Sequence, residues 1–309
     1  MHYKVVVFGV KDTSENIVEY IQNNLCPVDL VVTVAPKVTS NNNISGYKGL
    51  SFLTDKFGMP VFESETYGLK DERTLNFFKD NTFDIGIVMG WQRLIPPHVL
   101  DAFKFGIFGF HGNCGYLPFG RGRSPLNWSM ILGDTRFNLN LFKYDEKADS
   151  PNIFATEMFS INECDDIRTA QYKNMISSKR LIAKLIGAYK EGKVEIRTDS
   201  KDFDSWYEKR TPADGKIDWK DRTRNIYNLI RGVAAPFPGA YCYINGDEDS
   251  KVTVWEARPF EEMMDFSMYA PGEVIDIFDG KLVVRTVDGS MLIHKFDSEK
   301  DIKVGDILN

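Results

Sequence analysis

No stretch of this 309-residue sequence approaches the roughly 18 uninterrupted apolar residues a membrane helix needs. The apolar run nearest Met1, Val5-Val6-Val7-Phe8, is too short for a signal or membrane helix, so a soluble cytoplasmic protein without a membrane partner is expected. Cysteine is scarce and scattered: Cys26, Cys114, Cys164 and Cys242 form no CxxC pair and have no histidine at ligand spacing, so neither a disulfide framework nor a metal site is expected. Positive charge is in deficit as well. Net charge is −6, and residues 210–309 hold 13 Lys+Arg against 18 Asp+Glu, which leaves 25 against 26 of the totals for residues 1–209. Nucleic-acid binding draws on phosphate neutralisation by a cationic surface, so no nucleic-acid partner is expected. Glycine fingerprints are missing too. The turn after the first apolar run, Gly9-Val10-Lys11-Asp12-Thr13, lacks GxGxxG and no P-loop occurs anywhere, which argues against a nucleotide cofactor in the usual glycine turn and against a dinucleotide oxidoreductase. Lys11 and the helix start behind it can still receive a ligand phosphate.

What is present reads as globular. Hydrophobic residues make up 43% and aromatics 13%, enough for a sizeable core, and the length suits two domains. Short, nearly continuous apolar runs at 3–9, 30–35, 60–63, 83–90 and 106–112 read as strands buried on both faces. Amphipathic stretches at 13–24, 72–80 and 96–105, the last opening on Pro96-Pro97, read as intervening helices. This alternation predicts an open parallel sheet. A helix is expected at 125–132, an antiparallel pair at 137–144 and 152–161, and a long helix at 169–191 ending at Gly192. Residues 197–220 are polar and turn-rich, 221–233 are helical, and short strands broken by Asn245-Gly246, Pro271-Gly272, Asp279-Gly280 and Asp288-Gly289 follow. The expected organisation is therefore α/β: a Rossmann-like, mostly parallel domain over 1–200, a linker over 201–220 and a smaller β-barrel domain over 221–309.

Chemistry concentrates between residues 106 and 128, in Gly-Ile-Phe-Gly109-Phe-His111-Gly-Asn113-Cys-Gly-Tyr-Leu117-Pro118-Phe-Gly-Arg121-Gly122-Arg123-Ser-Pro125-Leu-Asn-Trp128. His111, one of four histidines, falls at the carboxyl end of an expected parallel strand, where open α/β sheets place their sites. A glycine- and arginine-rich loop follows it. The order His111, Leu117-Pro118, Arg121-Gly122, Pro125 and then Ala148-Asp149-Ser150-Pro151-Asn152-Ile153 resembles the core of the formyltransferase family, which includes methionyl-tRNA formyltransferase and the nucleotide-sugar N-formyltransferases. The resemblance extends over nearly the whole chain. Met89-Gly90-Trp91-Gln92-Arg93-Leu94-Ile95 looks like the family's pterin-holding loop, and Arg210-Thr211-Pro212-Ala213-Asp214-Gly215 with Pro236-Phe237-Pro238-Gly239-Ala240 looks like the start of its C-terminal OB-like barrel.

That resemblance, closest to the aminosugar branch, implies transfer of the formyl group of 10-formyltetrahydrofolate to the amine of a UDP- or dTDP-linked aminosugar, in the synthesis of surface polysaccharide such as lipopolysaccharide, with no metal. It implies His111 as the base, Asp149 orienting it, and folate held by Trp91, Gln92, Arg93, Leu94, Ile95, Ala148 and Asp149. Lys11, Arg121, Gly122, Arg123 and Arg210 are the expected contacts to the sugar nucleotide, and a homodimer is a further expectation. Two departures bear on mechanism. Gly109 stands where the family has an asparagine two residues before the histidine, and the interval from His111 to Pro118 is two residues longer than the family's. Asn113 is the candidate substitute, beside a backbone N–H of the loop or a protonated His111. Two alternatives stay open: a methionyl-tRNA formyltransferase, and a sugar-nucleotide or folate binding protein that has lost transfer.

Overall fold

Val5, Val6, Val7 and Phe8 are completely buried, and the strand they form, β1 (Val5–Phe8), lies inside a sheet covered on both faces. The computed structural model describes residues 3–42, 44, 46–146, 149, 152–198 and 203–309. After β1 come α1 (Asp12–Asn24), β2 (Leu30–Val34), α2 (Pro36–Asn42), α3 (Leu53–Phe57), β3 (Val61–Ser64), α4 (Glu72–Asp80), β4 (Phe83–Val88), α5 (Pro97–Leu100) and β5 (Phe103–Asn113). β1 pairs in parallel with both β2 and β4, β2 with β3, and β4 with β5. The chain thus steps outward from β1 to β3, then restarts on the other side at β4. This reversal opens a crevice beyond the carboxyl ends of β1 and β4, the usual ligand position in such sheets. Glycine makes the crevice possible: a Cβ on Gly9 would run into the Ser14 side chain and come within 2.8 Å of the Met89 carbonyl oxygen.

The chain continues through β6 (Arg121–Gly122), α6 (Pro125–Ile131), β7 (Arg136–Lys143), β8 (Asn152–Ser160), α7 (Ile167–Glu191), β9 (Arg197–Thr198) and β10 (Trp206–Tyr207). β7 pairs antiparallel with β5, and the eight-stranded sheet has the order β3-β2-β1-β4-β5-β7-β8-β9. The expected helix at 96–105 stops at Leu100. Phe103 is 5% exposed and stacks on Phe83, while the Phe83 N–H donates to Ala102 O, so core burial draws these residues into β5 over any helical preference. The short α2 and α3 carry too little amphipathic periodicity to be foreseen.

Beyond a 3-10 turn at Pro212–Gly215 lie α8 (Thr223–Val233), β11 (Ala240–Ile244), β12 (Asp247–Glu261), β13 (Val274–Phe278), β14 (Lys281–Thr286) and β15 (Gly289–Ser298). The strands form an antiparallel sheet in the order β11-β12-β15-β14-β13 around Val252, Val254, Val284 and Ile293. The chain's last residues bond to both end strands: Tyr243 N–H donates to Asn309 O, and Val274 N–H to Asp306 O. No helix among the described residues is long and apolar enough to cross a membrane.

Two compact units result, and their division is discontinuous. The first comprises Met1–Gly122, Asn138–Met158 and Asn174–Trp206; the second comprises Arg123–Phe137, Phe159–Lys173 and Tyr207–Asn309. Segments 123–137 and 159–173 thus group with the carboxy-terminal sheet instead of with the residues flanking them, a partition that a boundary near residue 200 does not capture. Hydrogen bonds from α8 account for it. Asn127 Nδ2 donates to Gly232 O, and the buried Arg231 guanidinium donates to the carbonyls of Asn162 and Asp165.

α4 supplies a test of its own start. Asp71 caps it by accepting from Thr74 N–H at 2.9 Å, and its other oxygen accepts from the Ser64 hydroxyl. Partial burial works against the charge, but hydrogen bonds from Ser64, Thr74 and Thr66 outweigh it and hold the carboxyl at about 2. Because the folded value lies below the ordinary 3.8, the cap stabilises fully above about pH 4 and loses its contribution as pH falls through about 2. Asp71→Ala is expected to cost about 1 kcal/mol at pH 7. In urea titrations the gap between variant and parent should close as pH falls from 4 towards 2; a pH-independent gap would contradict the assignment.

Candidate active site

Side chains alternate along β5, so Gly109, His111 and Asn113 share one face of the sheet. The antiparallel register places Phe142, Asn140 and Asn138 of β7 directly opposite them. Tyr144, two residues past Phe142 and stacked on it with ring centres 5.0 Å apart, continues the same row. A strand with asparagines at two buried positions is unusual, and Asn138 and Asn140 are 1% and 0% exposed. Their alternation with Phe137, Leu139 and Leu141 is a polar stripe visible in the sequence itself.

His111 is 7% exposed, with an oxygen facing each ring nitrogen. Nε2 lies 2.6 Å from Gly120 O, and Nδ1 lies 3.4 Å from Asp149 Oδ1. A neutral ring with its proton on Nε2 donates to Gly120 alone, whereas a charged ring donates to both oxygens. Asp149 sits in the left-handed region at φ +47°, which aspartate tolerates better than most residues. Its second oxygen accepts the Gly122 N–H at 3.1 Å, so one carboxylate links the histidine to the Arg-Gly loop.

Asn113 braces the lengthened loop. Its amide nitrogen donates to Phe119 O and its oxygen accepts from Gly115 N–H, while Gly120 packs directly on the amide. Asn138 Nδ2 donates to Gly115 O, and Asn140 accepts from the Thr156 hydroxyl at 2.7 Å. Gly109 has no room for a side chain, because a Cβ there would lie 2.5 Å from Tyr144 Oη and 2.6 Å from Cζ. Burial, and after it the negative charge of Asp149, push the Tyr144 phenol well above its ordinary value, so it stays protonated through neutral pH. Among the described residues no group of three or more His, Cys, Asp or Glu side chains could hold a metal ion.

The other expected site residues are spread along the two units. In the first, Trp91 is buried against Phe8 and Tyr67, and its indole N–H has no partner among the described residues. Gln92 N–H donates to Tyr67 Oη, Arg93 lies over the Tyr67 ring, Leu94 is 58% exposed and Ile95 is buried. Lys37, Tyr67, Gly68 and Arg93 line a neighbouring pocket of about 470 Å³. Lys11 precedes α1, and a Cβ on Gly90 would lie 3.2 Å from its own Cβ, which places it at the crevice between β1 and β4. Arg121 pairs with Asp204 at 3.2 Å, lies over the Trp206 ring, and keeps a buried Nε without a partner among the described residues. Ala148 lies outside the described residues. In the second unit, Arg123 is exposed, while Arg210 sits over Trp128 and donates to Asp214 O. Trp128 in turn stacks on Tyr207.

Residues 209–309 match the family model described as formyl transferase, C-terminal domain. Among solved structures, the chain is similar to WlaRD, a sugar 3N-formyl transferase solved with dTDP and 5-N-formyl-THF, at 15% identity and TM-score 0.67, with 98% of this chain and 100% of that one covered. An N-formyltransferase from Helicobacter canadensis, solved with folinic acid and dTDP-3-aminofucose, matches at 16% identity and TM-score 0.66, covering 96% of this chain and 100% of that one. HypX from Aquifex aeolicus, solved with tetrahydrofolic acid, matches at 18% identity and TM-score 0.65 over 97% of this chain, which spans only 45% of HypX. The chain thus carries a formyl transferase carboxy-terminal domain over residues 209–309, and shares the fold of these structures along nearly its whole length.

Proposed function

We propose that this protein is a folate-dependent N-formyltransferase that moves the formyl group of 10-formyltetrahydrofolate to the amine of a nucleotide-linked aminosugar. The observation that carries this reading is the His111–Asp149 pair, brought together on one sheet face beside the Arg-Gly loop. The ligands named in the Helicobacter canadensis and WlaRD structures support the donor and acceptor classes. The donor supplies a formyl carbon bonded to a nitrogen that can leave. Residues of this chain suit a pterin: the Gly9 and Gly90 backbones come close to α1 without side chains in the way, and the buried Trp91 indole N–H lacks a partner among the described residues. Backbone groups of 92–95, and of 148–149, are the proposed contacts.

In this reading His111 takes the proton from the acceptor amine as that nitrogen bonds to the formyl carbon. It returns the proton to the folate nitrogen whose bond to the same carbon breaks. Proton relay by a placed histidine contributes about 10²–10⁴-fold. For Nε2 to accept the amine proton the neutral ring must carry its own on Nδ1, facing Asp149, the tautomer opposite to the one that donates to Gly120 O. The acceptor amine takes over the position of the Gly120 carbonyl at Nε2, which requires the loop braced by Asn113 to shift. Lys11, Arg121 and Gly122 of the first unit are proposed to hold the acceptor's phosphates. The carboxy-terminal sheet, whose end strands both bond to residues 306–309, fits an OB-like barrel.

The test is product mass after incubation with 10-formyltetrahydrofolate and a panel of UDP- and dTDP-aminosugars, with methionyl-tRNA as a parallel acceptor. One formyl group should appear on an aminosugar nucleotide with the parent protein and none with His111→Asn. Asp149→Asn should lower turnover about a hundredfold, within the range for a positioned proton relay. Asn113→Ala should spare the chemical step and speed amide hydrogen exchange at Gly115 about tenfold, the loss of one buried hydrogen bond. Formylation of the tRNA alone, or full activity in His111→Asn, would overturn the reading.

A further inference from the structure

The family resemblance leaves one role unfilled. Gly109 stands where an asparagine amide is expected, and a carbonyl under attack needs a hydrogen-bond donor for the charge that develops on its oxygen. The three asparagines on the His111 face already serve the fold. Asn113 closes the 113–120 loop, Asn138 holds Gly115 O, and Asn140 pairs with Thr156. Another polar group shares that row, and it occupies the space next to Gly109.

We propose that the Tyr144 hydroxyl replaces the missing amide and donates the hydrogen bond that stabilises the formyl oxygen during transfer. The assignment rests on the transferase reading above and specifies its electrostatic component. Steric exclusion supports it first. A Cβ at position 109 would collide with the Tyr144 ring, so a side chain at 109 and the phenol at 144 are alternative occupants of one volume, and glycine at 109 is what admits the tyrosine. Reach supports it second. Oη lies 2.5 Å from the position of that Cβ, and an asparagine's amide nitrogen lies about 2.4 Å from its own Cβ by ordinary bond lengths. The hydroxyl therefore sits at the radius a short amide would reach. Protonation is the third support: burial and the Asp149 carboxylate keep the phenol neutral, so it remains a donor while His111 exchanges its proton. Register supplies the fourth. Pairing of Gly109 with Phe142 and of His111 with Asn140 keeps phenol and imidazole on the same side of the sheet.

Steady-state turnover with 10-formyltetrahydrofolate and the accepted aminosugar nucleotide tests the assignment. Tyr144→Phe removes only the hydroxyl and should lower kcat about a hundredfold, the typical effect of losing one such donor, with KM for the folate changed less than threefold and thermal stability retained. Gly109→Asn alone should be impaired by collision with the ring. Combined with Tyr144→Ala it should recover at least tenfold over Tyr144→Ala alone, because the amide then has the space and takes the role. An active parent with equally active Tyr144→Phe would overturn this assignment while leaving the transferase reading intact. A parent inert towards every acceptor would overturn both.

Discussion

His111 faces an oxygen at each ring nitrogen, the Gly120 carbonyl at 2.6 Å from Nε2 and the Asp149 carboxylate at 3.4 Å from Nδ1, and much of the surrounding structure brings those two oxygens there. β5 must run to Asn113 so that the histidine projects from the sheet with the amide two residues on. The loop from 114 to 120 must then fold back, which Asn113 secures by bonding at both ends of its own amide. Asp149 must arrive from beyond β7 in a left-handed conformation and bind the Gly122 N–H with its second oxygen. Each element is ordinary; the constraint lies in their convergence on one buried ring.

Burial sets the electrostatics of this face. The imidazole is 7% exposed and the Asp149 carboxylate beside it about a fifth exposed, so their interaction is screened less than it would be at the open surface. Asp149 faces the ring that can carry positive charge and also helps keep Tyr144 protonated. One acidic group thus neighbours both the imidazole and the phenol, the pair to which the proposed transfer assigns proton relay and hydrogen-bond donation. The glycine at 109 belongs to this arrangement, since any side chain there would displace the phenol.

Much of the fold was legible in the sequence. The fully buried β-branched runs of β1, β2 and β4 announce a parallel sheet, and the turn dipeptides after Pro236 announce the second one. The helix at 96–105 was overextended because its amphipathic pattern ignores what Phe83 and Phe103 gain by stacking. Segments 123–137 and 159–173 group with the carboxy-terminal unit through Asn127 and Arg231, contacts between residues far apart in sequence that no local signal reveals. At the site, residue order alone singles out His111 and Asp149, which the structure brings within 3.4 Å of each other. It does not single out Tyr144, which lies 35 positions from Gly109 in the chain; only the folded structure brings its ring against that glycine.

The central claim is that the formyl group is handled on this face of β5 and β7. A crystal structure of the protein with a stable formyl-folate analogue such as folinic acid, together with the nucleotide part of the accepted sugar, tests it most directly. The account places the formyl oxygen within about 2.7–3.1 Å of Tyr144 Oη, the distance of a donor to a developing oxyanion. It also places His111 Nε2, released from the Gly120 carbonyl, facing the acceptor side of the formyl carbon. A pterin bound away from the crevice between β1 and β4, or a formyl group out of reach of both His111 and Tyr144, would contradict it.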